Sequence, residues 1–234
     1  MRTVLITGGS TGVGLALVKA YLKHGHRVIN VDRVSPKDAI VGEYHYVQAD
    51  LSETDRFESI FERCKGHTHR IDCFVHAAHI EHEGFAESID VHAFEHGWRA
   101  NVLAPMLFAH AFIKQYDGAA GRIVFLTDSV LAQGRASEVQ KATEKGALHG
   151  AVAPLTDAGK SQFITVNTIE LGWLRQEDET VREVDHGTHP SRRVGTLDDC
   201  VRACLFLTDE HNQYINGETI VLDGGWRRIR FRPE

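Results

Sequence analysis

Seven short apolar runs alternate along the chain with longer amphipathic stretches, and this alternation restricts the fold more than any other feature. The runs fall at 4–6, 28–31, 44–48, 73–76, 122–126, 164–168 and 219–222; helical periodicity falls at 13–23, 54–64, 93–116, 138–158 and 198–207. Strands that are apolar along their whole length need cover on both faces, which a parallel sheet with helical crossovers supplies. Right-handed crossovers then wind the sheet outward in both directions. The expected fold is a doubly wound α/β domain with a parallel sheet of about seven strands and helices on both faces. Ligands in such folds sit at the carboxyl ends of the strands, so the turns after each run are where chemistry is sought.

Composition agrees with one such unit. The chain has 234 residues, 42% of them hydrophobic, which suffices for one large core and a single domain over 1–234. The net charge of -6 argues against a nucleic-acid partner, which would favour a basic face. No apolar run approaches the roughly 18 residues of a membrane span, and the chain enters its first strand without a signal-peptide pattern. Cys64, Cys73, Cys200 and Cys204 form no C-x-x-C pair and are expected to be reduced thiols in a cytoplasmic protein.

The first turn is Thr7-Gly8-Gly9-Ser10-Thr11-Gly12-Val13-Gly14. Glycines let a backbone approach a pyrophosphate closely, and a helix opening at Gly12 aims free N–H groups at phosphate. The turn follows a strand and opens a helix, which is the context a dinucleotide site requires. The second run ends in Asp32-Arg33. An acid there bonds an adenosine ribose and repels a 2′-phosphate, favouring NAD; Arg33 beside it could accommodate NADP, the weaker alternative.

The T-G-x-x-x-G-x-G spacing at residues 7–14 is similar to that of the short-chain dehydrogenase/reductase family. Ala49-Asp50-Leu51 resembles its adenine-contacting turn, Asn101 its helix asparagine, Ser129 its catalytic serine and Lys145 its catalytic lysine. The close from Asn216 to Gly225 resembles the family's last strand. The resemblance spans about residues 3–225 and implies a Rossmann-like NAD(P)-dependent oxidoreductase of a small carbonyl or alcohol substrate. It implies that Gly8, Ser10, Thr11, Gly12, Val13, Gly14, Asp32, Arg33, Asp50, Leu51, Ala77, Ala78, Lys145, Leu171 and Gly172 hold the cofactor. It assigns chemistry to Asn101, Ser129 and Lys145, with position 141 as a fourth member.

That fourth position departs from the pattern. The family has a tyrosine four residues before the lysine, where this chain has Lys141, and no tyrosine lies between Tyr116 and Tyr214. The resemblance gives that tyrosine the proton exchange with the substrate oxygen, the serine the polarisation of the carbonyl, and the asparagine a relay water. Lys141 and Lys145 are i,i+4 neighbours, and like charges at that spacing lower the pKa of at least one ammonium. Lys141 is then either a general acid or base with a depressed pKa or a solvated helix lysine. The family's N-N-A-G turn is His76-Ala77-Ala78-His79 here, with His79 placed to crowd the adenosine side; its P-G turn is Leu171-Gly172. About 22 residues separate Gly172 from Gly195, so any substrate lid is short.

Other features carry expectations of their own. Histidine is abundant, with 15 copies. His76, His79 and His82 straddle a strand end and a turn, and no metal is expected there. Thr196 and Asp198-Asp199 have the pattern of a helix cap. The basic, aromatic tail from Trp226 is either a surface tail or a contact to another subunit. Val102, Met106, Leu107 and Phe112 suggest an apolar docking face, and the family resemblance implies a homo-oligomer, dimer or tetramer. Pro154 should end or kink its helix, which bears on the tetramer. Two other classes of function stay open: a dinucleotide-binding sensor or structural subunit without turnover, and a non-redox elimination or isomerisation enzyme.

Overall fold

The structure is a computed structural model, and it describes residues 1–81, 87–117, 120–129, 131, 134–175 and 190–228. Its strands are β1 (Thr3–Thr7), β2 (Arg27–Asp32), β3 (Tyr44–Gln48), β4 (Cys73–His76), β5 (Arg122–Asp128), β6 (Thr165–Leu171), β7 (Leu174–Arg175), β8 (Gly195–Thr196) and β9 (Thr219–Leu222). Seven of them form one sheet in the order β3-β2-β1-β4-β5-β6-β9, and every pairing in it is parallel. A parallel two-stranded ladder of β7 and β8, which periodicity did not announce, forms separately.

Helices cover both faces: α1 (Gly12–Lys23), α2 (Phe57–Lys65), α3 (Val91–Trp98), α4 (Ala104–Gln115), α5 (Val139–Gly159) and α6 (Leu197–Thr208). Alternation along each strand divides the core. Phe74, Ile123 and Phe125 pack with Phe108 of α4 and Leu148 of α5. Val75, Val124 and Leu126 pack on the other face with Leu17 and Val18 of α1 and Cys200 and Cys204 of α6. The sheet proceeds in opposite directions from β1 and β4, and the turns after these strands therefore diverge and leave a crevice.

Two helical expectations are corrected and a third is narrowed. The run at 93–116 is not one α-helix: α3 and α4 flank a π segment, Arg99–Leu103. Pro105 has no N–H to give the carbonyl of Asn101, so the i→i−4 ladder must break there. Pro154 does not end its helix, since α5 continues to Gly159. It sits on an exposed face together with Gly150, the residue whose carbonyl it leaves without a helical donor, so water can serve that carbonyl. Val102 and Phe112, expected on a docking face, are buried within the chain, because the π segment and α4 turn them inward. The cap at α6 is as expected: Thr196 and Asp199 make a reciprocal capping box. No described helix is long and apolar enough to cross a membrane.

Candidate active site

One cleft of about 1100 Å³ runs across the carboxyl ends of the strands, large for the roughly 300–1,000 Å³ of small-molecule sites. Gly8, Thr11, Gly12, Val13, Gly14, Asp32, Arg33, Asp50, Leu51, Ala77, Ala78, Asn101, Ser129, Lys141, Lys145, Leu171 and Gly172 all line it. Ser10 does not. Its N–H donates to Asp32 Oδ2 at 3.1 Å, its hydroxyl donates to the Val34 carbonyl at 2.6 Å, and it accepts from Asn30 Nδ2 at 3.0 Å. Ser10 thus fastens the glycine turn to the end of β2. Asn30, fully buried and bonded also to the Gly9 N–H at 2.9 Å, shares that task and was not marked by any motif.

The glycine turn can cradle a pyrophosphate. Gly8 has φ +76°, and a Cβ there would lie 2.5 Å from the Cα of Ala78. A Cβ on Gly14 would run into the Gly8 carbonyl oxygen. Thr11, the N-cap of α1, makes no side-chain capping bond, so its side chain does not consume the N–H groups opening the helix. Asp32 and Arg33 line the adjoining wall, and Asp50 stands beyond them. Burial would raise the Asp50 pKa, but bonds from the Ser52 N–H and hydroxyl hold it below the ordinary value. The residues present fit a dinucleotide.

His79 lines this part of the cleft beside Ala77 and Ala78. His76 lies beneath, fully buried, its Nδ1 2.7 Å from the Thr7 hydroxyl. Burial first, then the charges of Lys145 and His79, hold His76 well below the usual histidine pKa, and it is neutral. His82, His186 and His189 lie outside the described residues.

At the other end the cleft brings together α5, β5 and the segment after β4. Lys141 Nζ lies 2.9 Å from Asp128 Oδ2 and 3.6 Å from Glu81 Oε1. Burial lowers the Lys141 pKa, yet the bond and charge of Asp128, with Glu81 and Glu138, raise it above the ordinary value overall. Lys141 is therefore neither a depressed lysine nor a solvated one; it is an ion-paired ammonium. The depressed lysine is Lys145, 5% exposed and brought down to about 8 by burial, with Lys141 adding to the effect. Its Nζ donates to the Leu126 carbonyl at a long 3.4 Å. The Ser129 N–H donates to the Leu171 carbonyl at 2.9 Å, pinning the ends of β5 and β6 together.

The Asn101 side chain is held by three hydrogen bonds. Its Nδ2 donates to the Ile80 carbonyl at 2.9 Å and to Glu144 Oε2 at 2.7 Å, while its Oδ1 accepts from the Ile80 N–H at 2.8 Å. The side chain is spent on structure. Its backbone carbonyl, which Pro105 cannot cap, is the part able to hold a water.

Sequence reasoning missed Asp128, Glu81 and the two tryptophans of the wall, Trp173 and Trp226. Asp128 ends β5, and the strand-end rule alone could have flagged it. Trp226 is set by its neighbour: Arg227 donates to both oxygens of buried Glu170 at 2.8 and 3.0 Å, and its N–H donates to Asp223 Oδ2 at 2.9 Å. The start of the tail is thus anchored within the chain; residues 229–234 lie outside the described set.

A family profile described as Enoyl-(Acyl carrier protein) reductase matches residues 8–227. The 3-oxoacyl-[acyl-carrier-protein] reductase MabA of Mycobacterium tuberculosis is 25% identical over 232 residues, 96% of this chain and 92% of that protein. An apo SCOR enzyme from Clostridium thermocellum shares the fold with a TM-score of 0.87 at 24% identity, covering 99% of this chain and 95% of its own. ElxO with NADP bound gives a TM-score of 0.84 at 21% identity, over 97% and 99% of the two chains.

Proposed function

The chain belongs to the short-chain dehydrogenase/reductase family, and from that premise we propose that it is an NAD(H)-dependent oxidoreductase of a small carbonyl or alcohol substrate. One observation supports this most: a single cleft holds the glycine turn and Asp32 at one end and Ser129, Lys141 and Lys145 at the other. The bound dinucleotide supplies or accepts the hydride. The Ser129 hydroxyl and the Lys141 ammonium hold the substrate oxygen and polarise its bond to carbon. Lys145, with a pKa of about 8, exchanges the proton that the tyrosine of the family pattern would exchange, because a proton carrier works best near the ambient pH. The carboxylate of Asp32 favours NAD over NADP by repelling a 2′-phosphate.

Titration calorimetry with NADH and NADPH, followed by turnover on ketones, 3-oxoacyl thioesters and alcohols, tests the proposal. NADH should bind at least as tightly as NADPH, and Ser129→Ala and Lys145→Met should each abolish most turnover. Clear preference for NADPH would overturn the cofactor assignment. Tight NADH binding with no turnover would favour the second reading, a non-redox or purely binding role, which the ion-paired state of Lys141 and the missing phenol support. Solvent-exchange assays for proton abstraction would then separate elimination or isomerisation from binding alone.

Two further readings accompany this one. Exposed Trp98, Leu103 and Val91 on α3 and the π segment support a homo-oligomer of two-fold symmetry, in place of the buried residues first expected there. A monomer by light scattering at about tens of micromolar would refute it. The cysteines are all buried free thiols, which supports a reducing, cytoplasmic setting.

A further inference from the structure

Helix α5 carries a buried carboxylate that the catalytic pattern does not require. Glu144 stands between Lys141 and Lys145 in sequence and is 1% exposed. Its Oε1 accepts from Gln140 Nε2 at 2.9 Å and its Oε2 accepts from Asn101 Nδ2 at 2.7 Å. Gln140 Nε2 also donates to the Ala93 carbonyl of α3 at 3.2 Å. The Asn101 amide has two N–H groups, and Glu144 and the Ile80 carbonyl take both. Glu81, next to Ile80, reaches back to Lys141 at 3.6 Å. The contacts therefore close a ring: from Glu144 to Asn101 of the π segment, to Ile80 and Glu81 after β4, to Lys141, and along α5 to Glu144.

We propose that Glu144 is a positioning residue, clamping Asn101 and through it the 80–81 segment, so that Lys141 and Lys145 keep their places in the cleft. The inference rests on the reading of these lysines as the reacting groups. Among the described residues the donors to this carboxylate are the neutral carboxamides of Asn101 and Gln140, and both lose a buried acceptor if it goes. The carboxylate also acts through space. Lys145 is faced by Asp128 from β5, Glu81 and His76 from β4 and its following segment, and Lys141, Glu144 and His149 on its own helix. Among these, Glu144 is a fully buried anion, and it opposes the downward effect of burial on Lys145.

The test compares Glu144→Gln, which keeps the shape and removes the charge, with Glu144→Asp, which keeps the charge and shortens the reach. The full chain is labelled with ¹³C,¹⁵N-lysine, and the Lys145 side-chain signal, assigned with Lys145→Arg, is followed against pH. In Glu144→Gln the Lys145 midpoint should fall by about half a unit, roughly threefold in proton affinity. In Glu144→Asp it should stay within about 0.2 units of wild type. NADH affinity should change less than about threefold in both, because the glycine turn is untouched, while kcat falls about tenfold in Glu144→Gln with KM nearly constant. An unchanged Lys145 midpoint in Glu144→Gln would overturn the proposal. So would a kcat loss no larger than the loss of folded protein. If Glu144→Gln does not fold, Glu144→Asp decides the matter: wild-type kcat with the clamp shortened overturns the proposal, and a lowered kcat with an unshifted midpoint upholds it. The midpoint is read without substrate. Wild-type protein with no turnover on any substrate would count against the redox reading, and the midpoint would still decide for or against Glu144.

Discussion

Lys145 should destabilise the fold that contains it. The residue is 5% exposed, and burial brings its ammonium from an ordinary value of 10.5 down to about 8. The unfolded chain therefore binds more protons than the folded chain between those two values, and stability rises with pH across that window. Below the folded value the cost is fully present; above the unfolded value it is gone. The shift corresponds to about 3 kcal/mol at pH 7, falling to about 1.5 kcal/mol near pH 9.5. Lys145→Met removes the charge and keeps most of the volume, and it sacrifices only the long bond to Leu126. The variant should be more stable than wild type by up to about 3 kcal/mol at pH 7, and the advantage should shrink by about 2 kcal/mol at pH 9.5. Urea unfolding of both proteins at the two pH values measures the difference directly, since other titrating groups cancel between them. A variant less stable than wild type, or an advantage that does not change with pH, would refute the burial argument. The expected loss of turnover in the same variant would make Lys145 a functional group retained at a cost in stability.

Three further outcomes follow from the geometry. Lys141→Tyr should raise ketone reduction about 10²-fold by restoring a phenol beside Lys145, and more when joined to Asp128→Ser, because a carboxylate next to a phenol raises its pKa; a fall below wild type in steady-state turnover would instead show that the Lys141 ammonium polarises the substrate better than a phenol in its place. Gly14→Ala should cost about 3 kcal/mol or more and abolish NADH binding, since its Cβ meets the Gly8 carbonyl; a melting temperature within about 2 °C of wild type would contradict this. Asp32→Ser should shift the NADPH-to-NADH affinity ratio about tenfold toward NADPH by calorimetry, through loss of the charge that faces a 2′-phosphate.

The alternation of apolar runs and amphipathic stretches determined the architecture, because strand and helix periods are local and seven apolar strands can be covered on both faces only by crossover helices. The glycine turn was legible for the same reason: close approach and positive φ exclude side chains wherever that turn occurs, as at Gly8. The helix break at Asn101 had its cause in plain view at Pro105, but its site became clear only where the π segment meets Ile80. The states of the two lysines were not legible. Both lie on α5 with identical side chains, and spacing alone says that one is depressed without saying which. Tertiary structure decided it by setting Asp128 and Glu81, from β5 and the segment after β4, against Lys141 while leaving Lys145 enclosed. Ser10 was likewise turned from the cleft by Asn30 and Val34 of the neighbouring strand and its end. A pKa and a side chain's direction depend on burial and on partners distant in sequence, and a one-dimensional pattern does not contain them.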